Sequence, residues 1–203
     1  MKKALTLLLA AALSGLASAV TLNWSNGYNA GSTASANWGT QTKLEVTIVF
    51  NATGLGTSAG ARQDFFSVCF GGSTDNTYNS LVVRRRAGQT TEIRLVENGQ
   101  SGNNGQNYST ADTTFTIGEN TLTLIFDKTG GTASYILNRE TEASIGTQPF
   151  TYADDGTINF VVNSNIASLG SITSVEAKLV PEPTVLALLA LGVAGLALKR
   201  KTV

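Results

Sequence analysis

Apolar residues recur at every second position along residues 43–50. Leu44, Val46, Ile48 and Phe50 take one face, and Lys43, Glu45 and Thr47 take the other. A period of two is the signature of a strand with one face in a core and one in water. Residues 121–126 repeat it, with Leu122, Leu124 and Phe126 on the apolar side. Further strands are predicted at 64–70, 80–86, 91–97, 113–117, 132–138, 157–163 and 173–179. In the last of these Val175, Ala177 and Leu179 face in while Glu176 and Lys178 face out. Turn chemistry lies between runs: Ala87-Gly88-Gln89, Thr129-Gly130-Gly131 and Asp155-Gly156. No stretch here carries a helical period. About ten short strands at this spacing predict an all-β fold, an antiparallel β-sandwich or jelly roll. Two Gly-, Ser- and Asn-rich stretches, 23–42 and 98–110, read as surface loops.

The ends break the pattern. Lys2 and Lys3 precede an apolar run over 4–16 and a small-residue site, Ala17-Ser18-Ala19. That order predicts a signal peptide over 1–19 and a mature chain beginning at Val20. At the other end Pro181 and Pro183 stop the preceding strand, because proline fixes φ and lacks a backbone donor. Residues 185–198 are uncharged and rich in Leu and Ala, and Lys199, Arg200 and Lys201 follow. A helix over 184–198 rises about 20 Å, short of the ~30 Å hydrocarbon core, and the stems of Lys199 and Arg200 narrow the gap. A transmembrane helix with its basic end in the cytoplasm is therefore expected. The domains read as a leader (1–19), one β-sandwich (20–179) and a membrane-handling tail (180–203).

Pro181-Glu182-Pro183, a short apolar helix and a terminal Lys199-Arg200-Lys201 cluster resemble the PEP-CTERM protein-sorting signal of Gram-negative bacteria. The resemblance covers about residues 180–201. It implies recognition by an exosortase, a membrane-embedded cysteine transpeptidase-like enzyme. It also implies cleavage near the tripeptide and export to the surface or an extracellular polysaccharide matrix. Residues 120–142 resemble the hairpin of concanavalin A-like or laminin-G-like sandwiches, through Asp127 and Tyr135-Ile136-Leu137-Asn138, with Arg139 where a Gly is usual.

Composition narrows the chemistry. Of 14 cations and 14 acids, five cations and one acid lie in the ends, so residues 20–179 carry about −4. A basic footprint for nucleic acid is missing, and nucleic acid is not an expected partner. The chain has no histidine, which removes Ser-His-Asp and Cys-His catalysis and nearly all catalytic zinc sites. Cys69, the one cysteine, lies in an apolar run and reads as a buried, inert thiol.

Four features are weighed for function. Trp24, Trp38 and Tyr108 lie on polar, Gly-rich stretches and are candidate glycan-stacking residues; the competing reading has both tryptophans covering the core. Asp75, Asp112, Asp127, Asp154 and Asp155 are scattered without the series a calcium loop needs, so turn-capping roles are expected and no metal site is. Arg84-Arg85-Arg86 reads either as an acidic-polysaccharide contact or as a solvated strand edge. Glycoside hydrolysis needs two facing carboxylates, and Glu92 and Glu97 flank no second buried acid. The expectation is an exported, non-enzymatic, structural or weakly glycan-binding sandwich without cofactor or catalytic residue. Its partners would be an exosortase-type enzyme, the membrane and, in the matrix, polysaccharide. The alternative is a secreted glycan-active enzyme.

Overall fold

The computed structural model describes residues 18–39, 41–54, 63–71, 74, 80–85, 91–96, 108–113, 115–145 and 156–180. Its strands in chain order are β1 (Ser18–Val20), β2 (Ser25–Tyr28), β3 (Thr33–Asn37), β4 (Lys43–Ala52), β5 (Gln63–Phe70), β6 (Ser80–Arg85) and β7 (Thr91–Val96). They continue with β8 (Tyr108–Thr113), β9 (Gly118–Asp127), β10 (Thr132–Leu137), β11 (Ala143–Ser144), β12 (Thr157–Val162) and β13 (Gly170–Val180). One helical turn, α1 (Ile166–Leu169), precedes β13.

Two six-stranded sheets form, in the orders β1-β13-β4-β9-β10-β11 and β3-β12-β5-β6-β7-β8. Every neighbouring pair is antiparallel. The expected all-β antiparallel sandwich is the observed architecture. Strand β4 alternates along its length, with Leu44, Val46, Ile48, Phe50 and Ala52 buried. Strand β9 is in register beside it, so Leu122 faces Ile48, Leu124 faces Val46 and Phe126 faces Leu44. Phe126 then meets Phe70 of the second sheet edge to face, ring centroids 5.1 Å apart, which joins the two layers. Strand β13 buries Val175 and Ala177 and exposes Glu176 and Lys178, as its alternation requires.

The sequence reading departs from the fold in three places. A strand was expected at 113–117, but β8 ends at Thr113 and β9 begins at Gly118. Between them Phe115 turns inward against Phe50 while Ile117 lies exposed. The polar stretch 98–110, expected as a loop, supplies the first residues of β8. The stretch 23–42, also expected as a loop, contains β2 and β3. Strand β3 hides its alternation because its inward residues are only Ala34 and Ala36. Residues 1–17 and 181–203, with most of the expected leader and all of the expected membrane helix, lie outside the described residues. Among the described residues no helix is long and apolar enough to cross a membrane.

Asn138 and Arg139 close β10 with φ of 50° and 65°. The Asn138 side chain makes that turn a junction. Its amide donates to Asn120 Oδ1 (3.1 Å), and its oxygen accepts from the Thr121 backbone (2.9 Å). The buried Asn120 in turn donates to the Thr116 carbonyl (2.7 Å), so the loop carrying Phe115 is pinned to the start of β9.

Candidate functional site

The three aromatic residues singled out by sequence do not form one site. Trp38 is 1% exposed. It stacks on Phe70 (5.8 Å, 30°), its backbone N–H donates to the Gly156 carbonyl, and Lys128 Nζ lies 5.5 Å from its ring centre. An indole closed in this way offers no face to a sugar, so the glycan-contact reading of Trp38 is corrected to a core role. Tyr108 starts β8 at the edge of the second sheet, opposite Val96 in register, and its side chain lies outside the described residues.

Trp24 is different. It is half-buried, and Tyr28 meets it edge to face at 5.2 Å. Behind, Phe66 and Phe160 back the indole at 6.5 and 6.4 Å. Tyr28, which the sequence reading passed over, is also half-buried, and Asn23, Ser25, Asn26 and Asn29 around the pair are exposed. Polar side chains shape this segment. Asn29 Nδ2 donates to the Asn26 carbonyl, the Asn26 N–H to Ser32 Oγ, and the Thr33 N–H to Ser25 Oγ. Gly27 supplies the positive φ (54°) that turns Tyr28 back toward Trp24. The Tyr28 hydroxyl accepts from the Val175 N–H at 3.4 Å, tying the segment to β13. Two half-exposed rings ringed by amides can stack on a sugar and hydrogen-bond its hydroxyls. The signal in sequence was the spacing Asn23-Trp24-Ser25-Asn26-Gly27-Tyr28-Asn29.

A second polar feature is the outer face of the second sheet. Ser67 and Cys69 of β5, Ser80, Val82 and Arg84 of β6, and Glu92 and Arg94 of β7 are all buried there, away from the inter-sheet core. Arg84 donates through Nε to Glu92 Oε1 at 2.5 Å, and Nη2 lies 2.5 Å from the same oxygen. Strand β6 is interior, between β5 and β7, so neither the solvated edge nor an open polysaccharide contact describes Arg84. Asp64 is its register partner on β5, and Asp112 that of Glu92 on β8. Further along the face Asn163 Nδ2 donates to Ser67 Oγ (2.7 Å) and Ser35 Oγ to Asn159 Oδ1 (2.6 Å). The Arg84–Glu92, Asn163–Ser67 and Ser35–Asn159 pairs are each made within the face, while the buried Arg94 Nε has no hydrogen-bond partner.

The other candidates resolve singly. Asp127 Oδ1 accepts from the Gly130 N–H (2.9 Å), capping the turn between β9 and β10. Asp75, Asp154, Asp155, Arg86 and Glu97 lie outside the described residues. Among the described residues no three His, Cys, Asp or Glu side chains come together as a metal cluster. Cys69 is buried.

Strand β13 ends at Val180, one residue before Pro181. The model for a protein-sorting family matches from Leu179 to Lys201. Residues 179–201 are a PEP-CTERM protein-sorting motif. The PEP-CTERM motif implies an exported substrate of an exosortase. Its tripeptide and basic cluster (Pro181, Glu182, Pro183, Lys199, Arg200 and Lys201) lie outside the described residues, but its first two residues are the last two of β13. A search of curated proteins gives no match to the chain. Several solved structures are similar in outline. The Ruminococcus gnavus IT-sialidase CBM40 bound to α2,3-sialyllactose is 15% identical, covering 85% of this chain and 97% of that one, with a TM-score of 0.44. The metal-free Emp46p carbohydrate recognition domain is 12% identical, covering 83% and 88%, with a TM-score of 0.46. Congerin II with lactose and MES is 18% identical, covering 71% and 98%, with a TM-score of 0.43.

Proposed function

We propose that this chain is a non-catalytic exported β-sandwich. Its leader is removed at Val20, its tail is held transiently in the inner membrane through residues 184–198, and an exosortase-type enzyme cleaves near Pro181-Glu182-Pro183. The body then serves at the cell surface or in the polysaccharide matrix as a structural or weakly glycan-binding module. The observation that carries this reading is the PEP-CTERM motif, whose first residues are already part of the folded sheet. Sugar contact is assigned to Trp24 with Tyr28, the one pair of adjacent, half-exposed aromatics that the described residues bring together.

Two experiments test the reading separately. Replacing Pro181, Glu182 and Pro183 with Ala should leave an uncleaved protein in the membrane fraction; unchanged processing would show that the tail merely anchors. Trp24→Ala should weaken retention on the host polysaccharide, whereas Trp38→Ala should lower the thermal midpoint and leave retention alone. Equal retention of wild type and Trp24→Ala would leave the structural role standing by itself.

One observation favours the glycan-active enzyme as a second reading: the register sets Glu92 opposite Asp112. Against it, Glu92 is 2% exposed and its carboxylate is taken by Arg84. Release of reducing sugar from the host polysaccharide by the wild type, lost in an Asp112→Asn variant of unchanged thermal midpoint, would support the enzyme; no release by the wild type would remove it.

A further inference from the structure

The small-residue site that defines the leader is inside the fold. Ser18, Ala19 and Val20 form β1, paired antiparallel with Leu179, Lys178 and Ala177 of β13. The ladder geometry says which groups are committed. The Val175 N–H reaches Tyr28 on the side of β13 away from β4. Odd-numbered residues of this part of β13 therefore turn their backbone groups outward to the sheet edge, and even-numbered ones toward β4. Ala177 and Leu179 are thus the residues that hydrogen-bond β1, opposite Val20 and Ser18. Ala19, on the amino side of the expected scissile bond, lies between those two pairs.

A peptidase that cuts an extended segment must take its substrate's backbone into its own cleft, as an added strand does. While β1 is paired with β13, that backbone is already used. We infer that docking of β13 closes the Ala19–Val20 bond to the signal peptidase. Leader removal then belongs to the interval before Ala177–Leu179 dock, and must precede completion of the first sheet. The inference rests on the export reading above, which supplies the leader. It also predicts what removal does. Cleavage deletes the Ser18 and Ala19 partners and keeps only the Val20–Ala177 pair. The outer edge of β13 then lies open at Lys178 and Leu179, directly before the sorting tripeptide.

The test uses the full-length precursor, purified in detergent and digested with a bacterial signal peptidase. The folded wild type should be cut at Ala19–Val20 at least about tenfold more slowly than the same chain in urea the peptidase tolerates, because cutting then waits on local opening of the edge. Leu179→Pro removes the one N–H that faces Ser18 while sparing the even-numbered contacts with β4, so the folded variant should be cut about as fast as the unfolded chain. Equal rates for folded and unfolded wild type, or no acceleration in folded Leu179→Pro, would overturn the gate and leave export intact. No cut at Ala19–Val20 in any state would overturn both the gate and the leader. Should Leu179→Pro fail to fold, hydrogen exchange decides: the Ala177 and Leu179 amides should be protected in the precursor, and Leu179 should lose protection on cleavage. Free exchange at both in the intact precursor would refute the gate.

Discussion

The two sheets share one core but wear different outer faces. On the first sheet most outer residues of β4 and β9 reach water, Ile125 being the buried one: Lys43 faces Asp127, Thr47 Oγ1 lies 3.1 Å from Thr123 Oγ1, and Lys178 of β13 faces Glu45. On the second sheet the corresponding positions are buried, and they include Arg84, Glu92 and Arg94. A solvated face can carry polar residues at most of its outer positions, because water satisfies their polar groups. A face closed off from water must satisfy them internally, and the buried ion pair is how β6 and β7 do so. Strand alternation therefore reports where water is rather than where a strand is.

The largest effect should come from breaking the buried pair. Arg84→Ala leaves Glu92 charged and unaccompanied and should cost ~3–5 kcal/mol in a denaturant titration. A loss no larger than that of a surface substitution would mean that the second outer face is wet, and the contrast would collapse. Phe126→Ala should cost a similar ~3–5 kcal/mol, since its ring meets Phe70 across the layers, and it calibrates the shared core. Replacing both partners, Arg84→Met with Glu92→Leu, should be neutral or stabilising by up to about 4 kcal/mol, because the cost of burying two charges disappears with them. A double variant as unstable as Arg84→Ala would show that the pair does more than satisfy itself. On the first sheet Glu45→Lys, which sets like charges opposite each other at Lys178, should cost about 1 kcal/mol or less and should fade in high salt. Smallest, Arg139→Gly should gain up to about 1 kcal/mol, because a left-handed φ of 65° is strained for arginine and free for glycine.

What was legible was spread over both sheets. Strands β4, β9, β10 and β13 announced themselves by alternation, and β5, β6, β7 and β12 of the second sheet by short apolar or β-branched runs between turns. Strand β3 did not, since Ala34 and Ala36 carry too little apolar surface to mark a face, and β8 did not, since it begins in a polar run. Trp38 was placed by Phe70, a partner more than thirty residues away, and no local pattern encodes that. The Arg84–Glu92 pair had a recoverable signal. Every register pair of β6 and β7 is symmetric about Gly88, so a hairpin centred on Ala87-Gly88-Gln89 would have matched the two charges. Tyr28 beside Trp24 was visible as a spacing but not as a contact, because Gly27 folds the chain back between them.

No spacer separates β13 from the sorting motif, so the motif begins inside the folded sheet. A flexible linker would let a tethered body swivel and lean. Here the last rungs of the sheet, Leu179 and Val180, are the first residues of the tether. The end of the sandwich bearing Lys43 and Asp127 sits beside it, and the end bearing Gly170, Ala52 and α1 lies at the far pole.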